Sequence, residues 1–318
     1  MTDSFGRKIE YIRVSITDRC NLRCKYCMPE DVPYVSHQNI LRYEEILSVC
    51  SIMANLGIKI VRVTGGEPLL RKGCVSFLRL LKSLPGIEQV SLTTNATLLA
   101  PHVEDLANLG IHSINVSLDS ITNETYHNIT GKDAFKSAWS GIETALKLGI
   151  RLKINCVPIL GVNESEILPL ASLAQEYPVS VRFIELMPTK ANASLQGISS
   201  DEVFNVISSK FNLFADSNSS GFGPAKYFKA DSMKGNIGLI SALSDNFCSS
   251  CNRVRLSSEG YLKLCLHHGY GIDLREMLRK GVSDSELTQA IKNIIAKKPK
   301  EHILYEFTEL TNMSKIGG

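Results

Sequence analysis

LGIKIVRVTGGEPLL, residues Leu56–Leu70, carries three signals in one short stretch. Gly57 stands where a helix would end, at the C′ position that calls for positive φ. Ile58–Thr64 is a β-branched run of strand length, bounded by turn residues. Thr64–Pro68 (TGGEP) then forms a tight glycine-rich turn bearing a carboxylate, Glu67. The first two signals recur as PGIEQVSL from Pro85, LGIHSINVSL from Leu109 and LGIRLKINCV from Leu148. Apolar periodicity places helices at roughly 43–55, 74–83, 101–108, 134–147 and 164–176, with an opening strand at Tyr11–Thr17 and a sixth at Ser180–Ile184.

This alternation predicts an α/β fold, a parallel sheet with helices outside it and right-handed crossovers. We expect an incomplete (β/α)6 TIM-like barrel over residues 1–190 and a smaller C-terminal α+β domain over 191–318; the alternation also fits a doubly wound open sheet. Such sheets put chemistry at the C-terminal ends of their strands. Asp18 and Arg19, TGGEP, TTN (Thr93–Asn95), SLDS (Ser117–Ser120) and ELMP (Glu185–Pro188) all fall there. Beyond Pro188 the pattern changes. Residues 189–200 read as a linker, Asp201–Lys210 and 288–298 as helices, and 225–230 and 236–242 as short strands. Arg253–Leu256 and Tyr261–Leu264 flank the turn signal SSEG and read as a hairpin.

The chain has 318 residues, 44% of them hydrophobic, and a formal net charge of +3. That charge is too small for a general nucleic-acid binder. No N-terminal apolar run follows MTDSFGRKIE, and no stretch approaches the ~20 apolar residues of a membrane span. The expectation is a cytoplasmic protein with no nucleic-acid or membrane partner.

Six of the nine cysteines fall into two groups. Cys20, Cys24 and Cys27 form C-x3-C-x2-C in the loop after the first strand. Cys248, Cys251 and Cys265 form C-x2-C-x13-C around the hairpin. Clustered cysteines in a long chain read as metal ligands. Each group offers three thiolates, one fewer than a closed iron–sulfur or zinc site uses, so each would leave a position for a reactant. For the first group the alternative is zinc, completed by His37 or a distant ligand. Cys50, Cys74 and Cys156 read as small buried hydrophobes.

C-x3-C-x2-C with Tyr26 before the last cysteine, followed one β/α unit later by GGEP, resembles the radical S-adenosylmethionine (SAM) enzymes. The resemblance implies a [4Fe–4S] cluster on Cys20, Cys24 and Cys27 whose open iron is chelated by SAM, and cleavage of SAM to a 5′-deoxyadenosyl radical. FCSSCNRVRLSSEGYLKLCL (Phe247–Leu266) narrows it. With YIRVSITDRCNLRCKYCMP, VRVTGGEPLLR, LTTNATLL, INVSLDS, LKINCV, VRFIELMP and GNIGLI, nearly the whole chain is similar to the GTP 3′,8-cyclase family, which opens molybdenum cofactor biosynthesis. That resemblance implies a second [4Fe–4S] cluster on Cys248, Cys251 and Cys265 holding the purine of GTP. It also implies hydrogen abstraction from C3′ of the ribose and attack of C3′ on guanine C8, giving 3′,8-cyclo-7,8-dihydro-GTP. No residue would act as a catalytic acid or base.

Carried onto this sequence, the family's SAM contacts fall on Tyr26, Gly66, Ser117 and Met187. Its GTP contacts fall on Arg13, Arg62, Thr93, Lys153, Arg253 and Arg255, and arginine suits a triphosphate because its planar fork matches phosphate oxygens. Implied partners are GTP, an external electron donor and, downstream, cyclic pyranopterin monophosphate synthase; a homodimer is left open. Gly317-Gly318 would reach the active site. Ala96 stands where relatives commonly carry glycine. His267 and His268 follow the last cysteine, where either could be a fourth ligand. Two rival readings are a radical SAM peptide maturase with an auxiliary cluster and a non-catalytic iron–sulfur or zinc carrier. The first usually carries more C-terminal cysteines, and the second needs neither GGEP nor the basic strand residues.

Overall fold

The computed structural model describes residues 1–28, 34–189, 192–217, 223–245 and 247–301; Gly317-Gly318 lies outside them. Among the described residues, strand and helix alternate as β1 (Tyr11–Ser15), α1 (Tyr43–Asn55), β2 (Ile60–Thr64), α2 (Cys74–Lys82), β3 (Gln89–Thr94), α3 (Val103–Leu109), β4 (Ser113–Ser117), α4 (Asn123–Thr130), α5 (Phe135–Lys147), β5 (Leu152–Cys156), α6 (Ile167–Glu176) and β6 (Ser180–Ile184). There follow α7 (Ser200–Ser208), β7 (Phe214–Ala215), β8 (Lys226–Lys229), β9 (Asn236–Ile240), β10 (Arg253–Leu256), β11 (Tyr261–Lys263), β12 (Gly271–Asp273), α8 (Leu274–Arg279) and α9 (Asp284–Ala296). The α/β class is the one expected. The glycines of the recurring phrase, Gly57, Gly86, Gly110 and Gly149, all take positive φ ahead of their strands. Among the described residues no helix is long and apolar enough to cross a membrane.

The chain divides into two compact units. One is Met1–Asn21, Glu30–Thr93 and Cys248–Gly318; the other is Leu22–Pro29 and Thr94–Phe247. Each draws residues from both sides of position 190. In the first unit β10, β1, β2 and β3 run parallel, and β11 and β12 add on antiparallel at the β10 edge. In the second unit β4, β5, β6 and β9 run parallel, with β8 and β7 antiparallel beyond β9. Two strands read from the sequence as belonging to a C-terminal α+β region, β9 and β10, therefore extend parallel arrays. Their existence was set by local pattern, but their partners β6 and β1 are set by long-range pairing that local pattern does not encode.

Alternation sorts the side chains of these strands. Ile12, Val14, Val61, Val63, Val90, Leu92, Val254 and Leu256 form one fully buried apolar face in the first unit. Ile114, Val116, Leu152, Ile154, Val181, Phe183, Ile237 and Leu239 do so in the second, where α5 packs on β5 and α6 on β6 and β9. Each such side chain contributes about 1.5–3 kcal/mol when removed from water. The opposite faces are polar. Strands of a parallel sheet covered on both sides ordinarily read as continuous apolar runs. A polar second face is therefore a departure that suits a binding surface.

Some elements escaped the sequence reading. Helix α4 (NETYHNIT) is short and mostly polar, and α8 and β12 are too brief to show a period. Helix α9 begins at Asp284, ahead of the expected 288, because Ser283 and Glu286 form a reciprocal capping box.

Candidate functional site

The polar face of the first unit carries a row of cations. Arg13 on β1 is in register with Arg62 on β2 and with Arg255 on β10. Arg255 is in turn opposite Lys263 on β11, and Arg62 is level with Ser91 on β3. Arg253 lies one alternation below Arg255, level with Tyr11. In-register neighbours point to the same face, so Lys263, Arg255, Arg13 and Arg62 form a line across four strands. Like charges in that arrangement repel. Burial and the fields of Arg255, Arg62 and Arg253 hold the Arg13 guanidinium well below its usual range. Burial and Arg253 lower Arg255 to about 10. The Arg62 guanidinium sits 5.4 Å from the Tyr11 ring, and its Nε is buried without a hydrogen-bond partner among the described residues, as is Thr93 Oγ1 at the end of β3. A row of cations in register suits a polyanion. Lys263 was missed from sequence, although the SSEG turn already pairs its position with Arg255.

The second cysteine group lies in the same unit. Arg7, paired with Asp3 at 2.6 Å, donates to the carbonyl oxygens of Cys248 (2.8 Å), Pro299 (2.6 Å) and Lys300 (2.9 Å). Lys298 is buried, and its Nζ donates to the carbonyls of Arg253 and Leu264, which flank Cys251 and Cys265 in sequence. Burial alone would raise the Cys251 thiol, but Lys298, Arg253 and Arg7 outweigh it and the net shift is downward. His268 is buried with Nε2 3.1 Å from the Glu301 carbonyl oxygen, which occupies that ring nitrogen.

Around the first group, the GGEP turn is stacked on the loop that follows β1. The amide of Gly66 donates to Thr17 O, and that of Glu67 to Arg19 O, both at 2.7 Å. A Cβ at Gly66 would overlap the Arg19 carbonyl, and one at Gly65 would lie 2.8 Å from Thr17 O. Both glycines therefore admit the chain's own backbone, a role not anticipated beside the expected approach to SAM. Glu67 is fully buried and its carboxylate caps the next turn, accepting from Leu69 N at 3.0 Å. Cys24 O accepts from the amides of Cys27 (2.9 Å) and Met28 (3.1 Å), which turns the loop back on itself.

Exposure separates the cysteines as their spacing did. Cys20, Cys24, Cys27, Cys248, Cys251 and Cys265 are partly exposed, whereas Cys50, Cys74 and Cys156 are buried. Burial pushes the Cys50 and Cys74 thiols to about 12, so they stay protonated and inert. The other six thiols are accessible from solvent. Among the described residues no three His, Cys, Asp or Glu side chains converge as ligands of a single metal ion.

In the second unit, Tyr26 is held at both ends. Its hydroxyl donates to Asp119 Oδ2 (2.8 Å), and its carbonyl accepts from Asn192 Nδ2 (3.2 Å). Burial, Asp119 and the neighbouring Cys24 and Cys27 keep the phenol well above its usual value. Asp119 also accepts from Val157 N at 2.8 Å, yet burial raises it to about 6. Met187 O accepts from the same Asn192 amide at 3.0 Å. Ser117 ends β4 level with Asn155, and Lys153 lies on β5 level with Asn115. Arg182 on β6, buried and missed from sequence, donates to Asn155 Oδ1 at 2.9 Å and to Asn115 Oδ1. Glu185 is structural, accepting from the amides of Ser200, Leu243 and Ser244. Ala96 takes φ 63°, a left-handed conformation that glycine would adopt without strain.

The C-x3-C-x2-C spacing after β1, the buttressed GGEP turn and the parallel α/β scaffold are those of the radical SAM class. The sequence pattern of the Radical SAM superfamily matches residues 14–174, and that of Molybdenum Cofactor Synthesis C matches residues 179–304. GTP 3′,8-cyclase of Clostridium perfringens (strain 13 / Type A) is 41% identical over 304 residues, covering 95% of this chain and 94% of the relative. GTP 3′,8-cyclase of Pelotomaculum thermopropionicum is 42% identical over 325 residues, covering both in full. The crystal structure of Streptococcus suis SuiB bound to S-adenosylmethionine superposes with a TM-score of 0.65 at 14% identity, covering 95% of this chain and 75% of that one; this likeness concerns the fold alone. The chain belongs to the GTP 3′,8-cyclase family of the radical SAM superfamily.

Proposed function

We propose that the chain converts GTP to (8S)-3′,8-cyclo-7,8-dihydroguanosine 5′-triphosphate, the first step of molybdenum cofactor biosynthesis. The observation that carries this reading is the in-register line Arg255–Arg13–Arg62, extended by Lys263. A row of like charges across four strands calls for a polyanion, and a triphosphate supplies one. Supporting it are full-length relatives named GTP 3′,8-cyclase.

When bound, SAM and its cluster would supply a 5′-deoxyadenosyl radical for removing hydrogen from C3′ of GTP; bonding of C3′ to guanine C8 would then take up one further electron and a proton at N7 to give the 7,8-dihydro nucleotide. Cys20, Cys24 and Cys27 would hold that cluster, and Cys248, Cys251 and Cys265 a second [4Fe–4S] cluster on which the purine rests. Tyr26, Gly66, Ser117 and Met187 would contact SAM. Arg13, Arg62, Thr93, Lys153, Arg253 and Arg255 would contact GTP. Functionally we divide the chain near residue 190, with residues 1–190 serving SAM and 191–318 the second cluster and purine. Fixing purine and triphosphate at separate points limits which hydrogen meets the radical, and geometry of that kind governs rate and selectivity. An external donor would supply two electrons, one to cleave SAM and one to reduce the cyclised nucleotide, cyclic pyranopterin monophosphate synthase would take the product, and the cysteine chemistry fits the reducing cytoplasm.

Replacing Cys248, Cys251 and Cys265 together by serine tests the division of labour. SAM binding should persist and cyclisation should be lost. Wild-type turnover by that variant would refute the assignment.

A further inference from the structure

We infer that Asn192, seconded by Asp119, is a positioning residue for SAM: it ties the loop between Cys24 and Cys27 to the segment after β6. The inference deepens the proposed function and rests on its assignment of Tyr26 and Met187 to SAM. Asn192 is buried, with 2% of its surface exposed. Its Nδ2 donates to the carbonyls of Tyr26 (3.2 Å) and Met187 (3.0 Å), and its Oδ1 accepts from Thr189 N (2.7 Å). Those three partners fix the amide's orientation, since the two carbonyls can only accept and the Thr189 amide can only donate. One side chain thus sets the relative placement of two backbone stretches far apart in sequence, each flanking a residue assigned to the same ligand. Asp119 completes the hold on Tyr26 from the ring end. Its Oδ2 takes the phenol at 2.8 Å while its Oδ1 is anchored by Val157 N at 2.8 Å.

The arrangement has a consequence for binding. Tyr26 has little freedom to rotate about its side chain or slide along its backbone, so a ligand against it meets a surface already ordered. Pre-ordering of this kind contributes affinity by lowering the cost of immobilising contact groups. Truncating Asn192 leaves two buried carbonyls without a donor and frees the two stretches to move apart.

The test uses the full chain, anaerobically reconstituted, as wild type and Asn192→Ala. Four quantities are compared: SAM dissociation constant by equilibrium dialysis, GTP dissociation constant, iron per chain, and the change that SAM produces in the electron paramagnetic resonance spectrum of the reduced protein. SAM affinity should fall about tenfold, as expected for losing buried hydrogen bonds, and the SAM-induced spectral change should shrink, with iron content and GTP affinity unchanged. SAM affinity equal to wild type overturns the proposal. So does a joint fall in iron, GTP and SAM affinity, which would mark a residue that merely supports the fold. Wild-type protein that binds no SAM overturns the parent reading and the inference with it, a result distinct from wild-type binding that Asn192→Ala leaves intact. If Asn192→Ala does not fold, Asp119→Asn carries the same comparison. Selective weakening of SAM supports the clamp, and no change overturns it.

Discussion

Replacing Arg13 by glutamine should make the nucleotide-free protein more stable and the GTP complex weaker. Arg13 sits between Arg255 and Arg62 in one row, on strands about 4.8 Å apart. Directly opposed like charges cost about 0.2–1 kcal/mol per pair, and Arg13 belongs to two such pairs. Burial adds to the penalty, as the depressed guanidinium indicates. Relief of roughly 1 kcal/mol follows from those two pairs, equivalent to a rise of about 2–4 °C in melting temperature for a protein above ~150 residues. Hydrogen bonds to a charged partner contribute about 1.5–3 kcal/mol. Losing such a contact to triphosphate should therefore weaken GTP binding by about tenfold to a hundredfold. Thermal melts of Arg13→Gln and wild type without nucleotide, alongside GTP titrations, check both signs. A variant that melts earlier than wild type would overturn this expectation, because the contacts Arg13 makes within the protein would then outweigh the repulsion from its like-charged neighbours. Inorganic tripolyphosphate should raise the wild-type melting temperature more than that of the variant.

Other outcomes follow from the same geometry. Gly66→Ala drives a methyl group into the Arg19 carbonyl and strains the two 2.7 Å bonds that seat the GGEP turn; a stability loss of about 2–4 kcal/mol and weaker SAM binding should appear in urea unfolding and dialysis, and wild-type values in both would contradict it. Asp119 is raised to about 6 in the folded protein against about 3.9 unfolded, so between those values the folded state binds more protons. Stability through this group therefore increases as pH falls across that window, and wild-type protein should gain on Asp119→Asn from pH 7 to pH 4.5 in urea titrations of cluster-free chain. Lys298→Met removes the leading cation beside Cys251, so the pH profile of Cys251 alkylation in cluster-free protein should move to higher pH; an unmoved profile would dismiss the electrostatic account.

Much of the scaffold is legible in one recurring phrase. A glycine that only a left-handed turn requires, followed by a β-branched run, marks Gly57, Gly86, Gly110 and Gly149 because backbone sterics act locally. The six partly exposed cysteines were legible by spacing, and the three buried ones by the apolar patterns around them. The cation row was legible only in pieces. Arg13, Arg62 and Arg255 could each be named, but their alignment depends on β10 pairing with β1, and no short-range signal fixes the register of strands so far apart in sequence. Lys263 could have been found from the hairpin turn. Asn192 could not: it lies in a stretch whose small polar residues read as a linker, and its role arises from carbonyls contributed by Tyr26 and Met187. Arg182 escaped because a lone arginine on a strand has no pattern to distinguish it from a surface charge.

In the proposed reaction this chain directs a SAM-derived radical onto the ribose of a GTP held by its arginine row. Incubating the anaerobically reconstituted protein with SAM, a strong reductant and GTP deuterated at C3′ tests it most directly. The expected product is 5′-deoxyadenosine carrying one deuterium, formed together with the cyclised nucleotide and only when GTP is present. Unlabelled 5′-deoxyadenosine at a rate indifferent to GTP would contradict it.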